Sequence, residues 1–201
     1  MIKIRPVLFL DIDGPMIPGR SFFLDQHKFQ DKVYKKLIKL NELDYGGVKR
    51  FKAPLIRVMF DPVAVAMLNR VLEETNAWLV IHSSWSKSFS GKQMRLILKE
   101  QGVNYTHLHK DWTTPKKFTS HRGHEIGWWL RDHPKVKEFV IVDDSTYEFN
   151  YFEALKSRLV VVTDQDGFQL NHYQQMLDRL GYKIPEIKTH LDDDLFRGCV
   201  P

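Results

Sequence analysis

The sequence contains a single cysteine, Cys199, and this excludes an intramolecular disulfide. No apolar stretch approaches the roughly 18 to 20 residues that a helix needs to span a bilayer. The short apolar run near the start is too brief for a signal peptide and ends in Asp11. Internal repeats and low-complexity segments are absent too. We therefore expect a cytoplasmic globular protein, and 201 residues suit one medium domain.

Positive charge is in slight excess, and it is unevenly placed. Lys and Arg number 30 against 25 Asp and Glu, which gives a formal charge of +5. A basic run is usually a solvated face, but it can also guide a phosphorylated substrate or a nucleic acid backbone. The excess is concentrated at Lys28, Lys32, Lys35, Lys36, Lys39, Lys49, Arg50, Lys52 and Arg57.

The most informative segment is the short apolar run over residues 7–14, which ends in Asp11, Ile12, Asp13 and Gly14. Such a run is typical of a strand buried on both faces of a parallel sheet. Residues i and i+2 of a strand share a face, so Asp11 and Asp13 would lie side by side. Two carboxylates this close repel each other unless a cation lies between them or one keeps a proton. The pattern predicts an ionised nucleophile and a proton carrier bridged by Mg²⁺, whereas the plainer interpretation is an acidic turn.

Strands and helices alternate along the rest of the chain. Helical periodicity or capping signals predict helices over 26–43, from Asp61-Pro62 onward, and over 92–101, 123–131 and 170–180. Apolar runs predict further strands over 78–81, 139–142 and 159–162, with a possible edge strand over 103–108. This alternation predicts an α/β fold with a three-layer, doubly wound parallel sheet.

Polar side chains follow three of the predicted strands. Ser83 follows the second apolar run, although Ser84 or Ser86 would serve equally, and Asp143 and Asp144 follow the strand over 139–142. Active sites of doubly wound sheets lie outside the carboxyl ends of the strands. The sequence therefore predicts that these residues meet Asp11 and Asp13 at one edge. The alternative interpretation of one of these last two acids is a helix N-cap.

The order of these motifs resembles the haloacid dehalogenase (HAD) superfamily of phosphohydrolases, over about residues 5–180. Within the superfamily the chain looks like the HAD domains of RNA repair proteins and like the phosphatase half of phage polynucleotide kinase-phosphatase. The finer resemblance is carried by Trp112-x-Thr-Pro115, Arg122-Gly-x-Glu-Ile126, Trp129-Leu130 and His133-Pro134 before Ile-Val-Asp-Asp144.

The resemblance implies a role for each residue of the motif. Asp11 would attack phosphorus to form an aspartyl-phosphate, and Asp13 would protonate the leaving oxygen and later deprotonate water. Ser83 would donate a hydrogen bond to a phosphoryl oxygen, and Gly14 would let the chain turn there. The Mg²⁺ site would consist of Asp11, Asp13, Asp143 and Asp144, with Asp13 contributing its backbone carbonyl.

A cation must also balance the charge on the transferred phosphoryl group. Arg122 is the first choice, while Lys116 and Lys117 are rivals because the superfamily usually has a lysine; Ser84 is a further substrate contact. Pro15 departs from the common Thr and cannot donate a backbone hydrogen bond.

The domain organisation bears on the substrate. We expect one domain over 1–184, with a small cap insert over about 15–60 and a tail over 185–201. A lightly capped site suits a large substrate, so a nucleotide or a nucleic acid phosphate end is favoured. A small-metabolite phosphatase, and a non-catalytic module that binds a phosphorylated ligand or a partner protein, are the alternatives. The histidines at 107, 109, 121 and 124 match no compact zinc pattern. Trp85 and Trp112 are interpreted as packing residues or, alternatively, as stacking surfaces for a base.

Overall fold

The computed structural model of the chain describes residues 4–19, 60–115 and 121–183. Several predictions lie outside this described part: the helix over 26–43, the basic run over 28–57, most of the small insert, Lys116, Lys117 and the tail over 185–201. The proposed domain boundaries therefore stay predictions.

In the described part of the chain, five strands form one parallel sheet in the order β3-β2-β1-β4-β5. The strands are β1 (Val7–Leu10), β2 (Trp78–Ile81), β3 (Leu108–Thr113), β4 (Phe139–Asp143) and β5 (Leu159–Val161). The helices are α1 (Pro62–Thr75), α2 (Gly91–Glu100), α3 (Arg122–Asp132), α4 (Glu153–Lys156) and α5 (Leu170–Arg179). The predicted α/β fold with a doubly wound parallel sheet is confirmed.

Both faces of the sheet are covered, as the continuous apolar strands predict. Because side chains alternate along a strand, Leu8 and Leu10 enter one core, together with side chains from α1, α2 and α5. Phe9 enters the other core, where its ring lies 5.3 Å from that of Trp129 on α3. The central strand is thereby held from both sides, which fixes the position at which it ends.

Helix ends follow the signals in the sequence. The carboxylate of Asp61 accepts hydrogen bonds from the backbone N–H groups of Val63 and Ala64, so Asp61 caps α1 as predicted. Helix α3 ends at Asp132, before the predicted stop at His133-Pro134. Within the described residues, no helix is both long and apolar enough to cross a membrane.

The prediction of the edge strand was wrong in position. The segment 103–108 is not a strand, because the side chain of Asn104 caps a 3-10 turn over Tyr105–His107. The strand begins at Leu108 and runs to Thr113, at the edge of the sheet. Its sequence is largely polar since an edge strand is half solvated, and its pairing with β2 contains an irregularity. The strand could not be predicted from an apolar run, because its sequence does not contain one.

Two glycines of α3 provide a matched test of packing. A Cβ on Gly123 would lie 2.4 Å from Cδ2 of Phe152, whereas a Cβ on Gly127 would meet nothing within 4 Å. We expect Gly127→Ala to stabilise the protein by up to about 1 kcal/mol, since alanine favours helix. Gly123→Ala should instead destabilise it by about 1 to 3 kcal/mol through overpacking. Urea unfolding of both variants measures this difference, and equal effects would contradict the packing described for α3.

Candidate active site

The predicted functional residues converge because they follow neighbouring strands. Asp11 comes directly after β1, Asp143 is the last residue of β4, and Ser83 follows β2 by two residues. Strands β2, β1 and β4 are adjacent and parallel, so their carboxyl ends lie together. The chain order reverses between β1 and β4, which is where doubly wound sheets place their ligands.

The side chain of Arg122 joins two of these carboxylates. One terminal nitrogen, Nη1, lies 2.5 Å from Oδ2 of Asp11 and 2.7 Å from Oδ2 of Asp143. Both carboxylates are almost fully buried. Burial alone would lower the pKa of Arg122, but the charges of Asp11 and Asp143 outweigh it and raise that pKa. The guanidinium is thus permanently charged, and of the three predicted cations it is the one that the described residues place at the site.

The start of α3 holds this arginine in place. A carboxylate oxygen of Glu148 accepts the backbone N–H of Arg122 at 3.1 Å. Glu125, buried in the first turn, accepts a hydrogen bond from the hydroxyl of Thr114 at 3.1 Å. Both acids lie near the positive end of the helix dipole, where negative charge is stabilising. Arg122 is the first residue of α3, and the hydrogen bond to Glu148 fixes its backbone while its side chain reaches the carboxylates.

Asp144 completes a group of three acids. Asp11, Asp143 and Asp144 each offer a carboxylate oxygen within 4.8 Å of the others. Burial and the charge of Asp11 raise the pKa of Asp143 to about 6, against the opposing charge of Arg122. The same two causes, with the charge of Asp143, raise the pKa of Asp144 to about 6. The single guanidinium of Arg122 does not compensate the negative charge of three carboxylates. Their three hard oxygen donors, in this arrangement, fit Mg²⁺.

Gly14 is required by the approach of Asp144. Its φ is +81°, a conformation that favours glycine, and an added Cβ would lie 2.7 Å from Cβ of Asp144. The turn is closed by the N–H of Gly14, which donates to the carbonyl of Ile17 at 3.2 Å. Pro15 is buried within this turn. The predicted role of Gly14 in turning the chain agrees with this geometry, while contact with a substrate stays a prediction.

Asp13 is held apart from the other acids. Its carboxylate accepts a hydrogen bond from the indole N–H of Trp85 at 2.9 Å and a longer one from the hydroxyl of Ser84 at 3.5 Å. It lies outside the group of three acids that share a possible metal position. Burial raises the pKa of Asp13, and the hydrogen bond from Trp85 opposes this shift. A carboxyl group that retains a proton more readily than usual suits a proton carrier.

Ser83 is fully buried, and its hydroxyl accepts the backbone N–H of Trp85 at 3.4 Å. It thus starts the turn that carries Trp85 toward Asp13. The rival cations Lys116 and Lys117 lie outside the described residues.

Two residues at the site were not identified from the sequence. The sequence interpretation of Trp85 as a packing residue is confirmed by its burial in the core, whereas the hydrogen bond from its indole N–H to Asp13 was not foreseen. The Nε2–H of His82 donates to the carbonyl of Val142 at 3.2 Å, which leaves Nδ1 3.5 Å from Oδ2 of Asp143. Burial lowers the pKa of His82 to about 4, so the ring is neutral near pH 7. The position of His82 immediately before Ser83 is the one signal in the sequence that could have identified it as a residue of the site.

The described structure thus places paired acids at the carboxyl ends of adjacent parallel strands. A family model described as "HAD domain in Swiss Army Knife RNA repair proteins" matches residues 7–173. The chain therefore belongs to this family of HAD domains, and the predicted superfamily is confirmed. A comparison with curated proteins finds no significant match.

The raised pKa of Asp143 predicts a pH-dependent stability. Its pKa is about 6 in the folded protein, against about 3.9 when unfolded. The side chain therefore stabilises the fold most below pH 4, and this contribution is lost as the pH rises through 6. Without metal, we expect Asp143→Asn to be more stable than the wild type by about 1 to 2 kcal/mol at pH 7, with no such gain at pH 4. Urea unfolding in a chelator at both pH values measures this, and a less stable variant at pH 7 would show that the pairing with Arg122 prevails.

Proposed function

We propose that the chain is a Mg²⁺-dependent phosphatase that acts through an aspartyl-phosphate on the phosphate end of a nucleotide or nucleic acid. The observation that carries the proposal is the bridge from Arg122 to both Asp11 and Asp143, beside a separately held Asp13. In this arrangement Asp11 is paired with a cation, whereas burial raises the pKa of Asp13. Nucleophilic and acid–base roles require that difference.

In the first half of the proposed reaction, a carboxylate oxygen of Asp11 bonds to phosphorus. The bond from phosphorus to the leaving oxygen breaks, and protonated Asp13 gives its proton to that oxygen. Arg122 stabilises the negative charge on the phosphoryl oxygens in the transition state. The products are an alcohol and a phosphoryl group bonded to Asp11.

In the second half, Asp13 takes a proton from a water molecule. The oxygen of that water bonds to phosphorus, the bond to Asp11 breaks, and inorganic phosphate leaves. Asp13 is then protonated and Asp11 ionised, as at the start. The indole of Trp85 keeps the carboxyl group of Asp13 in place in both protonation states, since Oδ1 remains an acceptor.

Asp11, Asp143 and Asp144 are the residues that would hold Mg²⁺, because their oxygens already lie within reach of one ion. When bound, the ion would supply positive charge beside the phosphoryl group. The backbone carbonyl of Asp13 stays a proposed fourth ligand.

Two observations favour a nucleic acid substrate. The family is described as a domain of RNA repair proteins, and the chain has a net charge of +5. A domain over 1–184 with a small insert over 15–60 would leave the site open to a large substrate. The tail over 185–201 and a cytoplasmic location also stay predictions. A metabolite phosphatase and a non-catalytic binding module are the outcomes that the next experiment distinguishes from this proposal.

Phosphate release tests the proposal directly. We expect Mg²⁺-dependent release from 3′- or 5′-phosphorylated oligonucleotides to exceed that from sugar phosphates. Asp11→Asn should lower the rate on the order of a thousandfold or more, because the nucleophile is lost. Release is measured with and without Mg²⁺ across mononucleotides, both kinds of oligonucleotide and sugar phosphates.

The matched control is Asp178→Asn, which makes the same change at an exposed position on α5 and should leave the rate unaltered. A clear preference for sugar phosphates would indicate a metabolite phosphatase. Absence of release from every substrate would favour the binding module.

The role of Trp85 can be tested by the choice of leaving group. Trp85→Phe keeps a ring against Phe60 and Phe89 but removes the hydrogen bond to Asp13. We expect kcat to fall about tenfold for an alkyl phosphate, whose leaving oxygen needs a proton. It should change little for p-nitrophenyl phosphate, whose leaving group needs none.

Trp78→Phe is the control, since Trp78 lies at the opposite end of β2. An equal loss with both substrates would show that Trp85 supports the fold rather than the proton transfer.

A further inference from the structure

A group of exposed rings lies beside Arg122. Tyr147 and Tyr151 are 62% and 78% exposed, which is unusual for large aromatic side chains. Both lie next to His121, with ring centroids at 6.0 Å and 6.2 Å, and His124 follows at 6.3 Å from His121. We call Tyr147, Tyr151, His121 and His124 the ring patch.

The ring patch is continuous with the phosphate site along the chain. His121 immediately precedes Arg122, and Tyr147 follows Asp144 by three residues. Glu148 links the two segments: its Oε2 accepts the N–H of Arg122 at 3.1 Å and lies 3.5 Å from Nδ1 of His121. The ring patch therefore adjoins the backbone from which the side chain of Arg122 reaches Asp11 and Asp143.

Phenylalanine side chains hold the backbone of the ring patch in place. Phe149 lies between the two tyrosines in the sequence and is fully buried in the core on the α3 side. Phe152 packs against Gly123 and meets the ring of His124 edge-on at 4.7 Å. The exposed rings are thus carried by a backbone that is fixed on both sides, which limits the entropy that a bound group would cost.

The charge of the patch selects the part of a substrate that it can bind. Glu148, whose carboxylate lies 3.5 Å from Nδ1 of His121, is the acidic side chain beside the ring patch. A second phosphate would be repelled by Glu148, whereas a flat uncharged ring would not. Exposed aromatic rings bind nucleobases by stacking, and this is tolerant of sequence because every base has a π-face.

We propose that the ring patch stacks the terminal base of a single-stranded nucleic acid whose end phosphate lies at Asp11 and Arg122. This inference rests on the proposed function and adds to it the surface that selects a nucleoside over other phosphate esters. It also replaces Trp85 as a candidate for stacking, since that indole is buried and bonded to Asp13.

The test compares substrates with and without a base. In the double variant Tyr147→Ala/Tyr151→Ala, we expect KM for a phosphorylated pentanucleotide to rise about fivefold or more, because the stacking surface for one base is removed. The kinetic constants for an alkyl phosphate, which has no ring to stack, should not change. A pentanucleotide whose terminal base is absent should have the same KM with the wild type and with the variant.

The matched control is Tyr147→Phe/Tyr151→Phe, which keeps both rings and should retain the wild-type KM. An unchanged KM in the alanine variant would overturn the ring patch and leave the proposed function standing. Equal losses on the pentanucleotide and on the alkyl phosphate would show a structural role and also overturn it. A wild type that hydrolyses the alkyl phosphate but no nucleic acid end, or neither substrate, would overturn the proposed function and the ring patch together.

Discussion

Repulsion among the carboxylates at the end of the sheet is the constraint on which the rest of the site depends. Asp11, Asp143 and Asp144 each bring an oxygen to the same small volume, and the first two are buried. Buried charge is costly unless it is paired, and Arg122 pairs with two of the three. The position of that arginine, and hence of α3, is therefore tied to the position at which β1 and β4 end. The remaining negative charge is the reason for proposing a further cation at this site.

The same constraint explains how two acids only two residues apart can differ in chemistry. Asp11 accepts a hydrogen bond from the charged guanidinium of Arg122. Asp13 accepts a neutral indole N–H, and burial raises its pKa. Their partners come from different elements, since Arg122 begins α3 and Trp85 lies in the turn after β2. The proposed nucleophile and the proposed proton carrier thus come from one motif, and the fold surrounds their side chains differently.

A structural feature could be predicted where its signal lies in neighbouring residues of the sequence, and not where it depends on residues far apart in the chain. The strands that carry the acids are continuous apolar runs, so β1, β2, β4 and β5 could be predicted, and with them the parallel sheet. The edge strand could not, because its polar residues from Leu108 to Thr113 show no apolar run. The bond from Trp85 to Asp13 also escaped prediction, since it joins residues 72 positions apart. A tryptophan within a polar turn carries no local sign of whether it packs, stacks or donates.

Glu148 contacts both the start of α3, which carries Arg122, and His121 of the exposed ring patch. One of its carboxylate oxygens accepts the first N–H of α3 and faces His121, so it holds the helix that presents Arg122 and lies among the exposed rings. The acid belongs there because the helix N-terminus attracts negative charge. At the same time its charge opposes a second phosphate near the rings. The proposed site for a phosphate and its neighbouring base needs both a fixed Arg122 and a surface that repels a second phosphate. The carboxylate of Glu148 supplies both, because the start of α3 and the loop after β4 meet at that side chain.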